Sequence, residues 1–376
     1  MTYQPLTGIR ILDLSRLLPG PYVTQLFADL GAEVVKVETP GAGDYARTFT
    51  VENGLAGLYE SVNRDKKSLG LDYRTPRGRE IFLELCKTAD VVFESFRPGA
   101  MASWGLGYED LRQAKPDIIY CSLSGYGQDG PYADRAGHDL NYVAIGGALA
   151  HNAPDGGRGQ PIPISVPLAD LSGGVLAAVA ILSALTGRAQ HGGAYLDVAL
   201  LDGVVSLVTP LIGGSYFHGD GSLPVTMGRP FYNVYRTADG QYFSLGAIEP
   251  KFWSKFCEAA GRPDLLPRQF DPSVGEELNA LFGQRSRAEW MAIFAGADAC
   301  IEPVNTFEQM LSDPQVRARG HVHAENGKPV RMNTPFVFAR RESANPPSRL
   351  GEHTRQVLGE LGLDDLETLE ARGIVV

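Results

Sequence analysis

The chain has 376 residues, 44% of them hydrophobic and 21% charged, with a net charge of −10; this is the composition of an ordinary folded protein and not of a disordered one. The acidic balance argues against a broad surface for nucleic acid, which needs concentrated basic charge, and leaves room only for a local basic pocket. Four scattered cysteines, Cys86, Cys121, Cys257 and Cys300, form no CxxC pair, so no disulfide framework or zinc knuckle is indicated and a reducing cytoplasm fits best.

The opening MTYQPLTGIRILDLS lacks the basic-then-apolar design of a secretory signal and runs straight into a strand pattern at 9–15. A helix is expected over 19–33, with Pro21 near its start and Gly31 near its end, followed by the strand EVVKVE at 33–38. Strand, helix and strand in about 30 residues is the spacing of a right-handed crossover in a parallel sheet. The pattern recurs through PRGREIFLELCKTA, DVVFESF, YEDLRQAK and DIIYCSLS. A doubly wound α/β domain is therefore expected for residues 1–205. The apolar run GGVLAAVAILSALTG at 173–187 is too short to span a bilayer and reads as a buried helix, so no membrane partner is expected.

Near residue 230 the pattern changes. FYNVYRTADGQYFSLGA alternates around an Ala-Asp-Gly turn, as an antiparallel hairpin does. Capping boxes Ser286 to Glu289 and Thr306 to Gln309 then open short helices. A smaller α+β domain is expected over 225–330. SANPPS at 343–348 looks like a linker, and the amphipathic GEHTRQVLGELG, within 335–376, is expected to return to the first domain.

Several motifs could carry chemistry. GYGQDG at 125–130 satisfies GxGxxG after a credible strand, but Pro131 and YADRAG give no helix to receive a pyrophosphate, so a dinucleotide site is rejected. The basic stretch 63–74 reads either as a solvated charge run or as a contact for a phosphorylated ligand. SFRPG at 95–99 follows a strand at its carboxyl end, where open α/β sheets bind ligands. His321 and His323 lack a third metal ligand, and no metal site is expected. His138 also lies on the carboxyl side of the sheet. Asp170 is placed at or near a helix N-cap, and Glu249 precedes Pro250 at another helix start; each alone is explained by capping.

Their combination is more informative. GIRILDLSRLLPGPYVTQLFADLGAEVVKVE, SGYGQDGP, AGHDLNY, PLADLSGG, YRTADGQYFSLGAIEP, DACIEPV and GEHTRQVLGELG run in one order through nearly the whole chain. In this the sequence resembles the family III CoA-transferase superfamily, including its α-methylacyl-CoA racemases. The resemblance implies a Rossmann-like large domain, a small α+β domain and a homodimer of interlocked rings, with coenzyme A as the acyl carrier and no other cofactor. It implies CoA contacts at Leu71, Asp72, Tyr73 and Arg74, at Ser95, Phe96 and Arg97, and at Gly137, Asp139, Leu140, Asn141 and Tyr142. By the same resemblance, Thr39 and Ser103 stand where relatives commonly carry arginines toward the CoA nucleotide, so either Arg16, Arg47 or Lys66 compensates or CoA binding is weaker than usual.

The resemblance also divides the chemistry in two. Transferases use an aspartate, matched by Asp170, as nucleophile. Racemases use it as an acid/base opposite a histidine, matched by His138, which Glu249 supports. Inverting a carbon beside a thioester carbonyl requires one base on each face, and an imidazole with a carboxyl group supplies both. Backbone N–H groups near the Asp170 helix start are expected to stabilise the enolate. The expected activity is racemisation of 2-methylacyl-CoA thioesters. The alternative is CoA transfer between carboxylic acids, which the TPGAGDYAR segment at 39–47 resembles.

Overall fold

The computed structural model describes residues 3–51, 57–153, 159–213, 217, 228–325, 328–340, 344–363 and 365–376. They form two compact units. The first comprises Met1–Ala148, Ile164–Thr209 and Ala318–Val376, the second Leu149–Pro163 and Pro210–Arg317. The units thus divide at 209/210 and 317/318, against the expected 205/225 and 330/335, and 149–163 groups with the second; residue 225 and Ser343 lie outside the described residues.

The first unit is built on six parallel strands: β1 (Arg10–Asp13), β2 (Glu33–Glu38), β3 (Lys67–Gly70), β4 (Val91–Glu94), β5 (Ile119–Ser124) and β6 (Ala194–Ala199). Their spatial order is 3-2-1-4-5-6, and every pairing is parallel. The order reverses between β1 and β4, and in open α/β sheets ligands bind outside the carboxyl ends of the strands at such a reversal. β4 and β5 are buried throughout, as strands covered on both faces must be.

One face packs Leu12, Leu14, Val35, Val37 and Val92 against Ile81, Phe82 and Leu85 of the helix Pro76–Lys87. Val357 and Leu358 of the short helix Thr354–Gly359 join the same core. The C-terminal stretch is tied to β3, because the Gly70 amide donates to Thr354 Oγ1 at 3.0 Å and Leu71 bridges to Val375. The segment expected to be a linker is also bound: Ser348 Oγ donates to the Lys66 carbonyl at 2.7 Å. The helices Pro19–Asp29 and Leu168–His191 pack together, the former also on β1 and β2 and the latter on β5 and β6.

The second of these helices departs from expectation. Its 24 residues and mean hydropathy of 1.9 in the most apolar window meet the length and composition of a membrane-crossing helix, and only 33% of that window is buried. Its sheet-side residues Ala177, Ala178 and Ile181 are in the core, while Val175 and Val179 are exposed. An all-round apolar run hides this two-sidedness in the sequence.

A buried charge network lies between β1, β2 and the 19–29 helix. Asp13 accepts hydrogen bonds from the Ser15 amide at 2.9 Å, from the Ser15 hydroxyl and from Thr24 Oγ1 at 2.5 Å. Lys36 Nζ lies 3.0 Å from Asp44 and donates to the Ser15 carbonyl at 2.8 Å. Lys66 Nζ donates to the Pro21 carbonyl, Thr24 Oγ1 and Asn63 Oδ1 at 2.7–2.9 Å, and lies 3.4 Å from Asp13. Burial pushes the Asp13 carboxyl upward, but Lys36, Lys66 and the two hydroxyls outweigh it and hold the group below the usual carboxylate range.

In the second unit, β7 (Tyr232–Arg236) and β8 (Tyr242–Gly246) form the expected hairpin, with Gly240 at φ +77°, and β9 (Ile301–Pro303) adds antiparallel to β8. Trp253, Phe256, Phe282 and Trp290 fill its core. Both capping boxes form, the Ser286 and Thr306 amides donating to Glu289 and Gln309 at 2.8 Å.

Removing one partner of a buried ion pair leaves the other charge uncompensated. Asp13→Ala is expected to lower the unfolding free energy by about 3–5 kcal/mol, measured by urea denaturation. A change below about 1 kcal/mol would show that the network contributes little.

Candidate active site

The loop after β5 turns back on itself at Gly127 (φ +93°) and Gly130 (φ +84°), and no helix opens behind it. The Gly127 amide donates to Ser124 Oγ at 3.0 Å and the Gln128 amide to Asp197 at 3.1 Å. Its amides thus hold the turn itself. Tyr126 meets Tyr142 edge-on at 5.0 Å between ring centroids, and the Tyr142 hydroxyl donates to the Gly137 carbonyl at 2.6 Å. A Cβ at Gly137 would come within 2.7 Å of the Tyr142 ring, so only glycine fits just ahead of His138. His138 is then the N-cap residue of the helix Asp139–Ile145; its amide donates to Asn141 Oδ1 at 3.0 Å and its side chain is exposed.

Asp170 is not the N-cap residue. The helix Leu168–His191 starts behind Pro167, and Asp170 lies in its first turn. The cap comes from elsewhere: Asp139 Oδ1 accepts from the Ala169 amide at 2.7 Å and the Asp170 amide at 3.0 Å. One carboxylate therefore does for this helix what its own sequence, with proline at the cap position, cannot. His138 stands next in the chain to the residue that holds the Asp170 backbone.

This arrangement leaves the Asp170 carboxyl without a hydrogen-bond donor among the described residues. Burial, followed by the neighbouring Asp139 charge, raises it to about 7. The helix start favours the anion, but by a weaker effect than these two together. The amides of Ala169 and Asp170 are occupied by Asp139, and that of Leu171 by the Pro167 carbonyl at 3.1 Å, so among the described residues the Leu168 amide is the donor this helix start leaves without a protein partner. Among the described residues, the Asp139 and Leu140 amides opening the 139–145 helix have no protein partner.

The remaining expected residues fall into distinct settings. Leu71 and Tyr73 are buried, with side chains in the core, and Asp72 pairs with Arg74 at 2.7 Å. Ser95 Oγ accepts from the Arg16 amide at 3.1 Å, Phe96 packs edge-on to Trp104 at 5.2 Å, and Arg97 is exposed. Asn141 serves as a cap, Tyr142 braces Gly137, and Leu140 is exposed. Glu249, in the second unit, is the exposed N-cap residue of the helix Pro250–Ala259, and its carboxylate makes no cap bond. Gln269, unremarked in the sequence, donates to the Ala247 and Ile248 carbonyls at 3.0 and 2.8 Å and so fixes the approach to Glu249. His323 is in a strand, and His321 Nδ1 lies 3.1 Å from Arg340. Among the described residues, no three His, Cys, Asp or Glu side chains form a metal-binding group.

The family model of CoA-transferase family III matches residues 6–354. The chain belongs to CoA-transferase family III. It is 35% identical to the α-methylacyl-CoA racemase of Homo sapiens, over 95% of this chain and 93% of that one. It is 34% identical to the succinyl-CoA:glutarate CoA-transferase of Mus musculus, over 99% and 90%. A solved CaiB/BaiF family protein from Brucella suis superposes with a TM-score of 0.81 at 32% identity, covering 96% of this chain and all of that one. Family III relatives named for two different reactions thus match this member equally well.

In this family III chain, Asp139→Ala removes the cap of the 168–191 helix and the charge that helps raise Asp170. A loss of about 1–2 kcal/mol in urea denaturation is expected, together with a downward move of the Asp170 titration followed by NMR. An unchanged titration would show that Asp139 does not act on it.

Proposed function

We propose that the protein is a racemase of 2-methyl-branched acyl-CoA thioesters, acting by two-base proton transfer without a metal or redox cofactor. The observation that carries this reading is the Asp139 bridge, which ties the segment bearing His138 to the backbone of Asp170, whose carboxyl is raised to about 7. An acid/base that must exist in both protonation states near neutrality requires such a carboxyl; an ordinary aspartate would be almost wholly ionised.

In the proposed cycle His138, as neutral imidazole, takes the α-proton of one epimer while protonated Asp170 delivers a proton to the opposite face. For the other epimer the roles reverse. The Asp139 and Leu140 amides are the proposed donors to the enolate oxygen. Leu71–Arg74, Ser95–Arg97 and Gly137–Tyr142 are assigned to coenzyme A, with buried Leu71 and Tyr73 acting through the backbone. The alternative reading, CoA transfer with Asp170 as nucleophile, is favoured by the same absence of hydrogen bonds to its carboxyl and by the transferase-like 39–47 segment.

Incubation in heavy water with one epimer of a 2-methylacyl-CoA should bring deuterium into the α-carbon without any acceptor acid, and His138→Ala should abolish this for the epimer that His138 deprotonates, along with racemisation of both. Acyl exchange onto a free acid with no α-exchange would instead establish the transferase. The pH dependence of kcat/KM is the same for both epimers, because racemisation releases no net proton and each direction needs one proton on the His138–Asp170 pair. Activity falls toward low pH, where both groups are protonated, and toward high pH, where both have lost their proton, with Asp170 titrating near 7.

A homodimer of interlocked rings in the cytoplasm completes the proposal. The exposed Val175 and Val179 of one apolar helix and Val205, Leu207 and Leu211 of the helix Leu200–Gly213 support it, because soluble proteins rarely leave so much apolar surface uncovered. Light scattering should give twice the chain mass at micromolar concentration, and a monomer would contradict the assignment.

A further inference from the structure

The carboxyl-end rim of β1 to β4, together with Lys36 inside β2 and Lys66 just before β3, carries more positive charge than it leaves available. Arg47 is consumed by Glu38, with two bonds of 2.7 Å, beneath the Tyr59 ring. Lys36 is paired with Asp44, and Lys66 is buried among Asp13, Thr24, Asn63 and the Pro21 carbonyl. Arg74 is half-exposed but forks onto its own neighbour Asp72. Thr39 is 9% exposed, and the Ser103 hydroxyl donates to the Ala100 carbonyl at 2.7 Å; neither supplies a cation. Two arginines on this rim have no carboxylate partner among the described residues, Arg16 and Arg97.

Only Arg16 is held. Its guanidinium lies 5.3 Å from the Tyr45 ring centroid and 5.0 Å from that of Phe96. Phe96 is backed by Trp104 at 5.2 Å, and Tyr73 packs on both rings at 6.3 and 5.5 Å. The backbone beneath is pinned at each residue. The Ser15 carbonyl takes Lys36 Nζ at 2.8 Å, the Arg16 amide donates to Ser95 at 3.1 Å, and the Leu17 amide donates to Asp44 at 3.1 Å. Leu17 adopts φ +65°, a left-handed conformation that a leucine keeps only when its surroundings impose it. A Cβ at Gly20 would lie 2.2 Å from Ser15 Cβ, so the next helix also presses on the loop.

A buried salt network, a strained turn and an aromatic cradle thus converge on one guanidinium without a counter-ion. An arginine between aromatic faces keeps its planar fork oriented, which suits two parallel hydrogen bonds to a pair of phosphate oxygens. We propose that Arg16, between Tyr45 and Phe96, is the cation that grips the phosphorylated nucleotide end of the acyl-CoA. This rests on the reading of the protein as an acyl-CoA enzyme. Asp13, Lys36 and Asp44 act as positioning residues, through the backbone that carries Arg16.

Calorimetric titration with coenzyme A, 3′-dephospho-CoA and an S-acyl pantetheine tests this without any turnover. Arg16→Ala, checked for a wild-type near-ultraviolet dichroism spectrum, should bind coenzyme A about 10- to 100-fold more weakly, the range of a lost charge-assisted bond. Its affinity for the phosphate-free pantetheine should be unchanged. Arg16→Lys should recover only part of the loss. A loss shared by 3′-dephospho-CoA assigns the grip to the pyrophosphate, and a loss confined to coenzyme A assigns it to the 3′-phosphate; either supports the proposal. Wild-type affinity for coenzyme A in Arg16→Ala, or an equal loss toward pantetheine, overturns it. Failure of the wild-type protein to bind coenzyme A overturns the acyl-CoA reading together with it, whereas binding without α-exchange rejects the racemase assignment alone.

Discussion

The site depends on one carboxylate oxygen. Asp139 Oδ1, at the first position of a seven-residue helix, accepts the opening amides of a 24-residue helix that begins 29 residues later. Without that bond the long helix would start on a proline with its first donors unsatisfied. With it, two helix starts are locked together. His138 enters one and Asp170 sits in the first turn of the other, so a demand of backbone hydrogen bonding is met by the same contact that brings an imidazole-bearing segment to a carboxyl-bearing one.

The bond also shapes the electrostatics. A carboxyl in a helix first turn ordinarily accepts from nearby amides and stays strongly acidic. Here Asp139 takes those amides. Among the described residues Asp170 is left partly buried, without donors and beside a like charge, and burial with that charge raises it to about 7. Among the same residues the amides of Asp139 and Leu140 have no partner and bring donors to the His138 side of the arrangement. Two-base proton transfer and nucleophilic attack both call for a carboxyl of this kind, and relatives named for racemisation and for CoA transfer match the chain at similar identity.

Much of this was legible in the sequence where local rules act. The strand EVVKVE matches β2 residue for residue, the Ser286 and Thr306 boxes form, and the Ala-Asp-Gly turn folds its hairpin. Strand β6 was not read, because AYLDVA alternates polar and apolar residues at a sheet edge and carries no turn signal of its own. The family motifs pointed to His138 and Asp170, but the role of Asp139 was hidden because its partners lie 30 and 31 residues away. One clue was present: a helix opening on Pro167, with no serine, threonine, asparagine or aspartate at the cap, must find its cap elsewhere. Arg16 was one of three candidate cations, and only the pairing of Arg47 with Glu38 and of Lys66 with the Asp13 network separates it from the others.

The central claim is that an imidazole and a protonatable carboxyl flank one acidic carbon. A crystal structure with a bound 2-methylacyl-CoA measures this directly. The account predicts a His138 ring nitrogen and an Asp170 oxygen on opposite faces of the α-carbon, each about 3–3.5 Å from it. Both groups on one face, or either in a separate cavity, would contradict it.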